Sequence, residues 1–183
     1  MIQTATTDQL QMICQFYQEV IEDLENRINF PKWTWGIHPT MEDLENAIQN
    51  QELILFTPDP SSSTFHELKE YSYPFAGAAI INSSWIDGGQ IQWTSQDFMA
   101  IHLFAIHPNP ALRSMKYGDA FLEEILDYIK DQNTESIRLD LIEGNWPADH
   151  LYLRHGFEKR GKGEYQPEGE VMLQFEYREY LYS

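Results

Sequence analysis

Pro108 and Pro110 stop the most apolar run of the chain, Phe98–Ile106, and the hydrophobic period changes on their far side. Proline fixes φ and offers no amide to a ladder, so a strand does not run through such a pair. Ahead of it, Phe98–Ile106 reads as a central strand. Beyond it, Phe121, Leu122, Ile125, Leu126 and Ile129 recur at helical spacing behind Gly118. Ile137, Leu139 and Leu141 then alternate, which predicts a strand over 137–142. A strand, a loop, a helix and a strand in that order commit the chain to the α/β class.

The flanks extend this pattern. Residues 2–5 read as a short edge strand. Thr6-x-x-Gln9 has the form of a capping box, and Leu10, Ile13, Cys14, Tyr17, Val20, Ile21 and Leu24 give a helix over 7–27. Cys14 falls on its apolar stripe, where a small core residue is the simpler reading than a nucleophile. An aromatic loop over 28–39 follows, with Phe30, Trp33 and Trp35. Thr40-x-x-Asp43 opens a second helix to about Asn50. Strands are expected over 52–57 and 75–83, separated by a polar surface excursion over 58–74. Asp87-Gly88-Gly89 signals a turn, and Gln90–Trp93 extends the hairpin. A short helix over 147–155 and strands over 157–160 and 171–177 complete the chain. The sum is a mixed, twisted central sheet of about six to seven strands with about four helices.

The 183 residues carry 29 acidic and 12 basic side chains, a net charge of −17. That balance repels phosphate backbones and anionic bilayers, so neither nucleic acid nor a membrane surface is an expected partner. No apolar run is long enough to span a bilayer, and the first ten residues lack a secretory pattern. One cysteine excludes an internal disulfide framework and a cysteine-rich zinc site, and no metal is expected. The expectation is a cytoplasmic, single-domain protein. Residues 101–183 hold nine of the basic groups, with Arg113 and Lys116 forming one cluster and Arg154, Lys159, Arg160 and Lys162 another. Each cluster reads as solvated surface or as a grip on a phosphate-bearing ligand.

Two segments carry chemistry. A loop that ends at Gly118 on a helix N-terminus is a ready anion site, because the first amides point outward and the helix dipole is positive there. The second segment is Asn145-x-x-Ala148-x-x-Leu151-Tyr152-x-x-x-Gly156-Phe157. It resembles the Asn-x-x-Ala-x-x-Leu-Tyr-x-x-x-Gly-Phe motif of the GCN5-related N-acetyltransferases, the GNAT superfamily. Upstream, Phe104–Pro108 is similar to the end of that family's fourth strand. Gly118-x-Ala120 is similar to the end of its pyrophosphate loop, Gln/Arg-x-x-Gly-x-Gly/Ala. Met115 departs from the first position of that signature, and the loop from Pro108 is longer than the family's.

The resemblance implies transfer of an acetyl group from acetyl-CoA to an amine of a small molecule or peptide, by direct attack in a ternary complex. It divides the chain into an acceptor-side half (1–100), the coenzyme motifs (101–160) and a C-terminal strand (161–183). Residues of the 113–120 loop, namely Arg113, Ser114, Met115, Lys116, Tyr117, Gly118, Asp119 and Ala120, are the implied pyrophosphate site. Backbone groups of Phe104, Ala105 and Ile106 are implied to pair with the pantetheine arm and polarise the thioester carbonyl. Asn145 is either a coenzyme contact or a helix N-cap. Tyr152 is either the acid that protonates the leaving thiolate or a core tyrosine.

The acceptor amine, with a pKa of ~10, must lose a proton. His102 is the candidate base, with His107 too near the implied phosphates; either histidine is otherwise structural. Trp33 and Trp35 would form the acceptor wall, stacking on a cation, or simply plug the core. The acidic first half, with 14 acidic and 3 basic groups, favours a cationic amine. Tyr177, Tyr180 and Tyr182 line the site or a contact between two copies in a homodimer. The rival function is a non-catalytic coenzyme-binding or protein-interaction module on the same fold. Met115 allows that rival, and intact Asn145 and Tyr152 oppose it.

Overall fold

A computed structural model describes residues 1–59, 61, 68, 73–84, 91–109, 116–165 and 172–182. The expected turn at 87–89 and the loop residues Arg113, Ser114 and Met115 lie outside these, as does most of the 58–74 excursion. The described elements are β1 (Ile2–Thr4), α1 (Leu10–Glu25), α2 (Met41–Gln49), β2 (Leu53–Phe56), β3 (Gly77–Asn82), β4 (Phe98–Ile106), α3 (Tyr117–Lys130), β5 (Ser136–Ile142), α4 (Trp146–Arg154), β6 (Glu158–Tyr165) and β7 (Leu173–Leu181). The seven strands hydrogen-bond in the order β1-β2-β3-β4-β5-β7-β6. The expected mixed α/β sheet is thus found, with four α-helices among the described elements.

The chain packs as two compact units. The first holds Met1–Asn29, Trp33–Ile81 and Leu103–Tyr128. Its core gathers Ile13, Phe16 and Tyr17 of α1, Leu44 and Ile48 of α2, and Leu53, Leu55 and Ala78 of the strands. Both helix starts behave as the sequence predicts. Thr6 accepts the side-chain logic of a capping box with Gln9, although the first turn, Thr7–Gln9, is 3-10 and the α-helix begins only at Leu10. Thr40 Oγ1 accepts from the Asp43 amide at 3.0 Å, and Asp43 accepts in return from the Thr40 amide at 2.8 Å. Cys14 is buried, the expected core residue. β1, β2 and β3 pair antiparallel, from Ile2↔Phe56 to Leu53↔Ile80. Gly77 is small for a reason: a Cβ there would sit 2.8 Å from the Phe121 ring and 3.1 Å from the Ala105 carbonyl oxygen.

The second unit holds Phe30–Lys32, Asn82–His102 and Ile129–Ser183. β4 and β5 pair in parallel over Phe98↔Ser136 to Ala100↔Arg138. β7 pairs antiparallel with β5 from Ser136↔Leu181 to Ile142↔Phe175, and with β6 from Glu158↔Glu179 to Tyr165↔Leu173. Both C-terminal strands outrun the expected 157–160 and 171–177. Glycines and charges hide them in the sequence, whereas pairing on both sides of β7 extends them. Gly163 is part of that fit, since a Cβ there would lie 2.9 Å from the Tyr177 ring. The buried Arg138 guanidinium lies 4.4 Å from the Trp93 ring and 3.8 Å from the Phe98 ring and donates to the Ser95 carbonyl at 2.5 Å. Glu179, fully buried, accepts from Arg160 Nε at 2.6 Å and from the Thr94 amide at 3.0 Å. These contacts fix the 91–97 segment on the strands. Among the described residues, no helix is long and apolar enough to cross a membrane.

Candidate active site

The first unit contributes the end of β4. Its regular course breaks at Leu103, which has φ +49. A leucine in the left-handed region costs of order 1–3 kcal/mol unless its surroundings impose it. The imposing contact is visible: the hydroxyl of buried Tyr17 donates to the Leu103 carbonyl at 2.7 Å. Beyond the break, side chains serve packing. The Phe104 ring stacks on Phe121 at 5.0 Å, and Phe121 stacks on Phe56 at 5.2 Å. Ala105 is buried and Ile106 half-buried. Any chemistry at Phe104, Ala105 and Ile106 therefore belongs to their backbone.

α3 starts one residue earlier than the glycine suggests. Its first intrahelical bond runs from the Ala120 amide to the Lys116 carbonyl at 3.1 Å. The amides of Tyr117, Gly118 and Asp119 precede it, so helix geometry leaves them to partners outside the helix. Lys116 is exposed beside them, with φ +53. Tyr117 turns its ring toward Phe56 at 6.0 Å. The first amides of a helix, a glycine and a lysine at one helix start form a donor set that fits a pyrophosphate.

His107 closes β4, buried, with its ring 5.0 Å from Tyr73 and 6.5 Å from Phe16. Nδ1 accepts from the Asn109 amide at 3.1 Å, so the ring is neutral with its proton on Nε2. Burial pulls its pKa down to about 4, against a weaker opposing pull from Glu19. It is built into the core and holds the start of the loop that leads to 110–115.

In the aromatic loop of the first unit, Trp33 and Trp35 are half-buried and pack against the α1–α2 core. Asn29 grips Trp33 through two bonds: its Nδ2 donates to the Trp33 carbonyl at 2.7 Å, and its Oδ1 accepts from the Trp33 amide at 3.1 Å. The Trp33 ring meets Tyr17 edge-on at 6.1 Å. Tyr17 thus touches both the aromatic loop and the β4 break, a link the helical pattern of α1 does not announce.

The second unit holds α4. Asn145 Oδ1 accepts from the Ala148 amide at 3.4 Å, the N-cap geometry. At the other end Gly156, with φ +91, follows His155 in the conformation that closes a helix. Tyr152 and Leu151 are buried, and the Tyr152 ring meets Phe157 at 5.5 Å. Asn145, Leu151, Tyr152, Gly156 and Phe157 of the motif thus each have a folding role as cap, buried face or helix end. Burial, and secondarily Asp140, hold that phenol above its usual range, so it is fully protonated near neutrality. Asp140, on β5, is itself pushed up to about 6 by burial.

α4 is clamped by an arginine the sequence reading did not single out. Arg178 of β7 is buried, donating from Nε to Asp149 Oδ1 at 2.8 Å and from NH2 to Glu176 at 2.6 Å. Lys159 reaches the same Asp149 at 3.5 Å, Arg160 bonds Glu179 and Glu158, and Lys162 pairs with Glu143 and Glu176. The 159–162 cluster is thus engaged with acids of its own unit rather than presented to a phosphate. His102 is half-buried, with Nε2 3.1 Å from Asn82 Oδ1 and 3.2 Å from the Ser84 carbonyl. Two oxygen acceptors at Nε2 assign it the proton. Tyr177 is buried against Trp93 at 6.1 Å, and Tyr180 packs between Phe157 and Tyr182. Among the described residues, no group of three or more histidine, cysteine, aspartate or glutamate side chains could hold a metal ion.

A mixed seven-stranded sheet of this order, with helices on it, is the fold of acyl-CoA-dependent acyltransferases. The model of the acetyltransferase (GNAT) family matches residues 31–157, and the chain belongs to that family. A curated Bacillus subtilis protein, provisionally named a ribosomal-protein-alanine N-acetyltransferase, is 25% identical over 136 residues, 73% of this chain and 87% of its own. A GNAT-family acetyltransferase structure from Streptococcus agalactiae superposes with a TM-score of 0.71 at 16% identity, over 100% of this chain and 95% of that one. A ribosomal-protein-alanine N-acetyltransferase structure from Brucella melitensis gives 0.64 at 15% identity, over 100% and 99%. At those identities the structures share the fold. The chain is an N-acetyltransferase of a family that uses acetyl-CoA and acts on amines.

Proposed function

We propose that the 183 residues act as one acyltransferase domain that moves the acetyl group of acetyl-CoA directly to an amine of a cationic small molecule or a peptide. The observation that carries this reading is the break in β4. Leu103 takes φ +49 immediately ahead of Phe104–Ile106, and the register with β5 ends earlier, at Ala100↔Arg138. In this reading the backbone beyond that break is the part of β4 that meets the coenzyme arm.

In this reading the amides of Tyr117, Gly118 and Asp119, with Lys116, hold the pyrophosphate. The backbone of Phe104–Ile106 pairs with the pantetheine arm and faces the thioester carbonyl as its oxygen gains charge. Tyr152 supplies the leaving sulfur with a proton. Burial keeps its hydroxyl protonated, so the proton is present at neutral pH. Asn145 spends its oxygen on the cap and keeps its amide group for the coenzyme arm. His102 Nδ1 takes the proton of the amine, and Trp33 and Trp35 form the wall against which a cationic acceptor lies.

Thermal unfolding with acetyl-CoA tests the donor site. Ligand at about 100 times its Kd should add roughly 2.7 kcal/mol, and thiol release on adding amines should then report turnover. An unchanged Tm at millimolar acetyl-CoA refutes the reading.

A further inference from the structure

We propose that Lys32 is a self-acetylation site: its side-chain amine is an acceptor that the protein carries on its own aromatic loop. The proposal rests on the acetyl-transfer reading above and names one acceptor of that same site. Asn29 and Trp33 close a turn around Lys32, with Asn29 Nδ2 donating to the Trp33 carbonyl at 2.7 Å and Asn29 Oδ1 accepting from the Trp33 amide at 3.1 Å. Lys32 stands in that turn exposed, at φ +58. Its Cβ disfavours this conformation, which glycine or asparagine adopts readily, so the turn itself does not call for a lysine. Two residues earlier, the Phe30 ring meets the Trp146 ring edge-on at 5.7 Å. Trp146 opens α4 and directly follows Asn145, the residue proposed above for the coenzyme arm. Phe30–Lys32 accordingly pack with the unit that holds α4 and Tyr152, although the chain on either side of them belongs to the first unit.

The other described lysines have other surroundings. Lys159 pairs with Asp149, and Lys162 with Glu143 and Glu176. Lys116 stands at the helix start proposed for the pyrophosphate. Lys130 is exposed in the last turn of α3, about 20 Å along the helix from that start. A tethered amine meets the thioester at an effective concentration of order mM, so transfer to Lys32 needs no encounter with a second molecule. The Lys32 ammonium loses one proton to water, and its lone pair attacks the acetyl carbon. The C–N bond forms and the C–S bond breaks. The thiolate takes the Tyr152 proton, and the second proton of the nitrogen replaces it through solvent. The products are an uncharged acetamide on Lys32 and free coenzyme A. Acetylation thus removes one of the three basic groups in residues 1–100, and with it an ammonium that repels a cationic acceptor from the aromatic loop.

The test is peptide mapping by mass spectrometry after incubation with acetyl-CoA and no added amine, which needs no knowledge of any other acceptor. Lys32 gains one acetyl group at a rate that stays constant over about a tenfold range of protein concentration, as a tethered acceptor requires. Lys130 reports the background of uncatalysed acetylation, and Lys32 outruns it about tenfold or more. Excess coenzyme A, which competes for the donor site, suppresses the gain at Lys32 and leaves Lys130 unchanged. Lys32→Arg keeps the charge, and the intact protein then lacks the fast-forming acetyl group. Modification of Lys32 no faster than that of Lys130, a rate that climbs with protein concentration, or one indifferent to coenzyme A overturns the inference. Saturable binding of acetyl-CoA without acetylation of Lys32 overturns it while leaving the transferase intact. No saturable binding of acetyl-CoA to the wild type overturns the transferase reading and this inference with it.

Discussion

Acidification should weaken this protein through His107. The ring is 2% exposed, wedged near Phe16 and Tyr73, and burial lowers its pKa from 6.5 to about 4. In the unfolded chain the imidazole takes up its proton as pH falls through 6.5; in the native state it resists until about 4. Between those values the unfolded state binds more protons, so stability falls as pH falls. The gap from 6.5 to about 4, at 1.36 kcal/mol per pH unit, corresponds to about 3 kcal/mol. The loss is absent above pH 7 and complete below about 4. Urea unfolding of wild type and His107→Gln at pH 7.0 and 4.5 isolates it, because every other titrating group is common to both proteins. Glutamine keeps an acceptor for the Asn109 amide and cannot titrate. The wild type should lose about 2–3 kcal/mol relative to the variant on going to pH 4.5. A difference that stays constant to within about 0.5 kcal/mol refutes the reasoning. A relative gain for the wild type would mean that the Glu19 carboxylate, not burial, governs the ring. There is a functional consequence in the same window. Protonated Nδ1 becomes a donor facing the Asn109 N–H, so the loop ahead of 110–115 loses its anchor and acetyl-CoA affinity falls.

Tyr152→Phe should lower kcat about 100-fold or more while calorimetry finds an unchanged acetyl-CoA Kd; an unchanged kcat would assign Tyr152 to the core alone. Asp140→Asn should stabilise the protein at pH 7. Burial raises the Asp140 pKa from 3.8 to about 6, so the folded state favours the protonated acid. The ionised group then costs up to about 3 kcal/mol above pH 6, a cost that fades as pH falls to 3.8. Denaturant curves at pH 7 and 4 check both the gain and its disappearance. Arg178→Ala strips two carboxylates of their buried partner and should cost about 3–5 kcal/mol. An ordinary surface pair would cost under about 1 kcal/mol, and a loss that small would show the clamp on α4 to be solvated.

Much of the fold is legible because its causes are local. Thr6/Gln9 and Thr40/Asp43 are capping boxes in the sequence and in space. The apolar run Phe98–Ile106 is a strand with the same ends. What was misjudged depends on distant partners. β6 and β7 carry glycines and charges that weaken a strand on propensity. Their pairing from Glu158↔Glu179 to Tyr165↔Leu173 supplies the missing stabilisation. The basic group at 159–162 shows the same limit: a sequence displays the charge of Arg160 but not the buried Glu179 that receives it.

The candidate site divides along a related line. Asn145, Ala148, Leu151, Tyr152, Gly156 and Phe157 are readable because helix α4 demands particular side chains at its cap, its inner face and its end. A motif of that kind can persist for folding reasons alone, which is why the weight falls on one hydroxyl within it. The polarising step is proposed for backbone atoms of Phe104–Ile106, and a backbone amide has no letter in the sequence. The residues printed there record packing against Phe121 instead. The side chain that holds the Leu103 carbonyl at the start of that stretch lies 86 residues earlier, where Tyr17 is one more apolar position in a helical stripe. Only its oxygen distinguishes it from a phenylalanine, and helical periodicity is blind to that oxygen. The hydroxyl of a fully buried tyrosine must find an acceptor, so the question a sequence can pose at such a position is which carbonyl it meets. In this fold the answer is the one carbonyl of β4 whose residue stands in the left-handed region.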